Sequence, residues 1–444
     1  MPLKCKAMTL RPLERYFEFE ALGADWKTEI LAGVTTFVTM AYIVFVNPAI
    51  LHEAGMPLAA VTAATCLSAA AGSLLMGGYA RYPIALAPGM GLNAYFTYTV
   101  VLGMKVPWQA ALGAVFLSGV AFLLLTMLGV RQLIVSSIPA ELHAAVAAGV
   151  GLFIALVGFR NSGIVVADRV NLVALGNLSD RSTALAVFGL VSMAALLAWR
   201  VRAAMLIGIL ATTAIGLATG VAKWTPRAYR LGDLSATAGK LDIAAALRLG
   251  FLEIVFVFLF IDLFDNVGTL LAVGKKANLF DQAHGIPRVN RILLSDASAT
   301  VIGSLTGTST VVSYIESAAG VAAGGRTGVT AMVTGLLFLA ALFVAPAVGA
   351  IPAAATAPAL IVVGSLMMGA ASEIAWTDPE VAVPAFLTML TIPLTFSIAN
   401  GLAFGFVSFT LVKILRGKFR AVSWFVYALT ALFALRFAYL ASSR

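Results

Sequence analysis

Apolar residues run along this chain in blocks of about 20, the length that crosses a bilayer as an α-helix, and short polar stretches separate the blocks. Read in this way, the sequence predicts fourteen spans: near 29–50, 58–79, 84–102, 107–129, 138–159, 183–199, 202–221, 250–273, 290–306, 309–323, 327–350, 353–371, 380–397 and 399–415. Several are short and interrupted by glycine or proline. A further apolar stretch, VSWFVYALTALFALRFAYL, carries Arg436 and six aromatic residues. It is compatible with another span or with a helix lying in the interface, and its composition favours the interface.

Composition agrees with the pattern. Of 444 residues, 61% are hydrophobic and only 11% are charged, against about 25% charged in a soluble domain. The chain is therefore expected to be a multi-pass protein of a cell membrane, of the bacterial inner-membrane type, with the lipid bilayer as its principal surroundings. A net charge of +9 would suit nucleic acid in a soluble protein, but in a membrane protein it reflects basic cytoplasmic loops; no nucleic-acid partner is expected. A cytoplasmic N-terminus places Lys4, Lys6, Arg11, Arg15, Lys275 and Lys276 on the inner side, with most of the other basic residues, as the positive-inside rule requires. The first 25 residues lack an apolar signal core, so no cleaved leader is expected.

Reactive chemistry is sparse. Cys5 and Cys66 have no metal-binding spacing, and His52, His143 and His284 are scattered. With neither a metal cluster nor a hydrolytic triad, no enzyme activity, metal or cofactor is expected. The nearest approach to a phosphate-cradling loop, GTLLAVGKKA, has five residues between its glycines and a lysine where serine or threonine is needed. A nucleotide-driven pump is excluded on that ground.

The two halves of the chain echo each other. SSIPAELHAAVAAGVGLFIALVGF (136–159) resembles GAIPAAATAPALIVVGSLMMGA (349–370), and AGSLLMGG (71–78) is echoed by IGSLTGTS (302–309). After the latter pair come PIALAPGMGLNAYF (83–96) and TVVSYIESAAGVAA (310–323). The offset of seven spans is odd, so the second copy is inverted in the membrane. Pro83, Pro88, Gly89 and Gly91 cannot comfortably continue a helix, and the run from Thr310 to Ile315 is β-prone. The expected fold is an all-α polytopic membrane protein, a 7+7 inverted repeat. Two of its segments are discontinuous, each a short central strand feeding a half-helix whose N-terminus faces a cavity.

Against this apolar background, FVFLFIDLFDNVGTLLAV (256–273) places Asp262 and Asp265 in mid-span. A carboxylate there costs at least about 2.5–3.5 kcal/mol on insertion scales, and an intramembrane ionisable group is by default a functional candidate. The spacing of three puts both on one helix face, with Thr269 a turn further. Glu316 falls where the second extended stretch becomes a helix, Asn93 takes the similar place in the first half, and Asp296 lies in the ninth span. Asp265 beside Asn266 is equally suited to bonding a neighbouring helix, and Asp296 between Ser295 and Ser298 to a structural tie. A planar, neutral heterocycle with ring N–H and exocyclic amino groups needs acceptors, and a carboxylate accepts two such bonds at once. A group that both binds and titrates links substrate to protons.

GVTTFVTMAYIVFVNPAIL (33–51), ALAPGMGLNAYF (85–96), FIDLFDNVGTL (260–270) and LLSDASATVIGSLTGTSTVVSYIESAAGVAAGGRTG (293–328) resemble the nucleobase–cation symporter family two, the xanthine/uracil permease group, and within it the hypoxanthine/guanine/adenine permease branch. The resemblance implies a core domain (29–129 and 250–350) and a gate domain (130–249 and 351–416). A cytoplasmic segment (1–28) and a C-terminal interfacial or membrane helix (417–444) flank them. It implies proton symport of purine nucleobases, an elevator-like movement of the core and a homodimer through the gate. Position by position, Asp262, Glu316 and Asn93 match the substrate-binding residues, with Ile315 and Ser317 beside Glu316. Asp296 matches the aspartate linked to coupling and core integrity, and Asp265 is expected to support it. Glu316 is followed by Ser317 where the ascorbate/xanthine branch has asparagine, which argues against uric acid, xanthine and ascorbate as main substrates. The alternatives are a uracil or xanthine carrier of the same family, and an anion carrier of the related sulfate/bicarbonate fold. An anion site would favour arginine or bare backbone N–H.

Overall fold

A computed structural model describes residues 12–129, 138–223, 231–277 and 288–442. The first span is broken into α1 (Trp26–Met40) and α2 (Ile43–Glu53). It is followed by α3 (Leu58–Leu75), which ends in a π-helical turn, Met76–Ala80. The third span opens with strand β1 (Leu86–Pro88), then α4 (Met90–Ala94) and a π-helical stretch, Tyr95–Gly103. α5 (Trp108–Met127) and α6 (Ala140–Asn161) follow. A hairpin of β2 (Val165–Asp168) and β3 (Leu172–Leu175), not foreseen from the sequence, precedes α7 (Arg181–Ala198) and α8 (Ala204–Ala218).

The second half repeats the scheme. α9 (Leu249–Ala277) and α10 (Val289–Thr306) lead to strand β4 (Val311–Ser313), α11 (Ser317–Ala322) and α12 (Gly328–Ala341). α13 (Ala353–Met367), α14 (Pro379–Thr395) and α15 (Ile398–Leu415) complete it, before α16 (Trp424–Ser442). Among the described residues, 7 helical stretches are long and apolar enough to cross a membrane, and four shorter apolar helices accompany them.

Local chemistry sets several ends. The Asp25 side chain accepts from the Thr28 amide at the start of α1, and Ser397 does the same for Asn400 in α15. Asp378 caps α14 with Pro379 at its first position, where proline's missing N–H costs nothing. Gly307, at φ 97°, closes α10.

Helices pack in two sets. α12 lies on α1 and α3, and α10 on α3 and α5, with α9 on α5. α6 lies on α13 and α14, α7 on α8 and α13, and α14 on α15. The approach of α6 to α13 depends on glycine: a Cβ at Gly151 would stand 2.8 Å from the carbonyl oxygen of Gly364, the small-residue contact that lets membrane helices pack closely. α16 pairs antiparallel with α15, the Thr410 and Thr430 hydroxyls 2.7 Å apart and Phe433 stacked 6.1 Å from Phe406. It therefore runs alongside α15, with Val426, Leu429 and Phe433 buried.

Glu29 ties the start of the first span to the second half. Its fully buried carboxylate accepts from the amides of Arg326, Thr327 and Thr330 at 2.8, 3.1 and 3.2 Å, and from the Thr330 hydroxyl at 2.6 Å. A carboxylate on α1 thus satisfies the otherwise orphaned N–H groups at the start of α12, where the helix dipole favours negative charge. Glu29→Ala is expected to cost about 3 kcal/mol, seen as a fall of roughly 3 °C in apparent melting temperature. Glu29→Gln, which keeps one acceptor oxygen, should lose less; equal melting of both variants and the parent in detergent would refute the tie.

Candidate functional site

The two central strands meet as expected. β1 and β4 are antiparallel, with Leu86 opposite Ser313, Ala87 opposite Val312 and Pro88 opposite Val311, and all six residues are buried. The Gly89 amide donates to the Thr310 carbonyl and the Tyr314 amide to the Ala85 carbonyl, both at 3.0 Å. A two-stranded ladder leaves its outer edges unpaired, and at membrane depth there is no bulk water to complete them. Side chains do so instead. Ser73 both donates to the Leu86 carbonyl and accepts from its amide, Ser317 accepts from the Ala85 amide, and Thr300 donates to the Val311 carbonyl.

Asp296 belongs to this set. Its Oδ1 accepts from the amide and hydroxyl of Ser313 at 3.2 and 3.3 Å. Its Oδ2 accepts from Asn266 Nδ2, which also donates to Asp262 Oδ1 at 3.1 Å. One buried amide therefore links Asp262 on α9 to Asp296 on α10, and Asp296 holds the last residue of β4. Asp265 is on α9, and its side chain lies outside the described residues.

Glu316 stands at the N-cap of α11, three residues beyond Ser313. Its Oε1 accepts from the Tyr42 hydroxyl at 2.7 Å. Ile315 is 56% exposed, whereas Ser317 is buried with its hydroxyl on the Ala85 amide. Since α9 packs on both β4 and α11, the helix carrying Asp262 lies against the strand end carrying Glu316. Tyr95 and Phe258, one turn from Asp262, form a buried edge-to-face pair at 5.1 Å.

Asn93, on the other half-helix, is bonded within the protein. Its Nδ2 donates to Asn47 Oδ1 and its Oδ1 accepts from the Ser309 hydroxyl, while Asn47 Nδ2 donates to Thr65 and Thr308. The structure thus gathers Asp262, Asp296, Glu316 and Ser317 around the strand crossing and gives Asn93 a network of its own beside it. Sequence reasoning missed Tyr42 and Asn47. The available signal was their polarity within the otherwise apolar AYIVFVNP, in a segment whose helix already contains Pro48. A separate crevice of about 220 Å³, lined by Phe45, Ile50, His52, Glu53, Asn161 and Leu360 among others, contains none of the expected site residues.

Among solved structures, the transmembrane domain of a cyanobacterium bicarbonate transporter, BicA, superposes with a TM-score of 0.66 at 15% identity, covering 84% of this chain and 96% of that one. At that identity the likeness shows a shared fold alone. By sequence, the guanine/hypoxanthine permease PbuG of Bacillus subtilis is 44% identical over 440 residues, covering 96% of this chain and 100% of that protein. The adenine permease AdeP of Escherichia coli is 42% identical over 428 residues, 96% of each chain. Residues 27–404 match the Permease family of xanthine/uracil type. With relatives of this identity along nearly its whole length, the chain belongs to the xanthine/uracil permease family.

Proposed function

We propose that this multi-pass membrane protein is a secondary transporter of purine nucleobases of the adenine, hypoxanthine and guanine type, driven by proton symport. The observation that carries the reading is the pair of carboxylates at the strand crossing. Asp262 is linked through Asn266 and Asp296 to Ser313, and Glu316 lies three residues beyond Ser313 at the head of α11, in a family whose similar members are named for these bases. Carboxylates accept the N–H groups that every purine base presents along its edge. Tyr95 and Phe258 supply the flat apolar faces that a planar ring packs against. Asn93, bonded to Asn47 and Ser309, holds the first half-helix beside the site, and Asp296 braces β4 from behind, with Asp265 assigned to support of α9.

The fold shared with a bicarbonate transporter brings an anion carrier into question. The ionisable side chains bonded around this crossing, Asp262, Asp296 and Glu316, are carboxylates, whose negative charge would repel an anion instead of binding it. Transport in our reading proceeds by movement of the core set of helices (α1–α5 with α9–α12) past the gate set (α6–α8 with α13–α15), the latter forming the contact of a homodimer.

Labelled hypoxanthine should accumulate in cells producing the protein, and labelled sulfate should not; sulfate uptake without purine uptake would overturn the assignment. A protonophore should abolish accumulation, whereas accumulation persisting on a sodium gradient alone would make sodium the coupling ion. Glu316→Gln and Asp262→Asn each exchange an acceptor oxygen for a donor. Each is expected to lower purine uptake roughly tenfold or more at unchanged membrane abundance, measured by initial rates beside quantitative blotting. Parental rates in either variant would remove that residue from the site.

A further inference from the structure

The broken first span sets one polar side chain against each half-helix. Asn47 on α2 is bonded to Asn93 of α4, and Tyr42, in the break between α1 and α2, donates to Glu316 at the head of α11. Tyr42 is 1% exposed, so its ring is fixed by packing. The surface it faces is equally constrained. α11 sits close on α1, with no room for a side chain at its glycine: a Cβ at Gly320 would stand 2.7 Å from the Ala32 carbonyl oxygen and collide with the Thr36 hydroxyl, and just beyond α11 one at Gly325 would stand 2.8 Å from Ala32 Cβ. This close approach of the two helices therefore sets the distance over which the phenol meets the carboxylate. The neighbouring phenol, Tyr314, is directed instead to the Pro88 carbonyl.

We propose that Tyr42 is a positioning residue for substrate recognition, its hydroxyl fixing the orientation of the Glu316 carboxylate by engaging Oε1 and leaving the remaining acceptor capacity to the purine. The inference rests on Glu316 being a substrate ligand. A carboxylate side chain has several rotatable bonds, and holding it in the binding geometry beforehand removes the ordering cost from the binding step. A phenol suits the task because it donates without carrying a charge, so the carboxylate's attraction for the N–H groups of the base is retained. The first span thereby becomes part of the binding machinery, although its side chain reaches the base only through Glu316.

Equilibrium binding of labelled hypoxanthine to the purified full-length protein tests this. Tyr42→Phe keeps the ring and removes the donor. It should weaken binding about tenfold without lowering the apparent melting temperature, while Tyr42→Ala lowers both. Combined with Glu316→Gln, Tyr42→Phe should add no further loss; where that background binds too weakly, Glu316→Asp, shortened away from the phenol, takes its place. Affinity within twofold of the parent in Tyr42→Phe overturns the proposal. So does a tenfold loss persisting undiminished in the Glu316 background, or a loss of binding that merely follows a loss of melting temperature. Parental affinity in Glu316→Gln would instead overturn the reading of Glu316 as a ligand, and the role of Tyr42 with it.

Discussion

A strand in the depth of a bilayer carries backbone N–H and C=O groups that lipid cannot satisfy, each costing several kcal/mol if left bare. The crossing of β1 and β4 meets that constraint with a ladder of only three residue pairs. Everything around it completes the hydrogen bonding: Ser73 on both groups of Leu86, Ser317 on Ala85, Thr300 on Val311 and Asp296 on Ser313. Residues that look like isolated polar intrusions into apolar spans are the edge partners of this small sheet. Because they come from helices of both halves, the crossing also binds the two repeats together.

The same constraint bears on the proposed site. Asp296 is at once an edge partner of β4 and, through Asn266, a neighbour of Asp262. The brace of the strand and the proposed ligand-binding carboxylate are thus joined in one network. The inverted repeat is symmetric in backbone and asymmetric in chemistry. The first half-helix presents an amide, engaged with Asn47 and Ser309, while the second presents the Glu316 carboxylate, engaged with Tyr42. Both partners from α2 and the break before it belong to one span, so that span references the two half-helices to each other.

Much of this was legible beforehand. Runs of about 20 apolar residues gave the spans to within a few residues, and proline, glycine and β-branched residues marked the two discontinuous segments. Glu316 was placed at the start of its half-helix because an acidic residue follows an extended run there. Other features were not legible for definable reasons. Glu29 reads as a first-turn acid of α1, yet it caps α12, some 300 positions away in the chain. Tyr42 and Asn47 read as minor irregularities in an apolar segment, since nothing local reveals what a side chain faces across a helix interface. The aromatic rings of α16 did not reveal which of them meet α15 and Phe256, whose surfaces bury one face of the helix.

The sequence by itself determined the membrane character, the number and order of spans, the inverted duplication and the strands at its centre, because these follow from hydropathy and local backbone preference. Only the tertiary structure decided the partners: that Asp262 and Asp296 share Asn266, that Glu316 is held by Tyr42, and that Asn93 turns to Asn47 and Ser309. The division has a physical origin. Transfer into lipid is set residue by residue along the chain, whereas a hydrogen bond requires two groups within about 3 Å, a condition that only the packed arrangement of distant segments can meet.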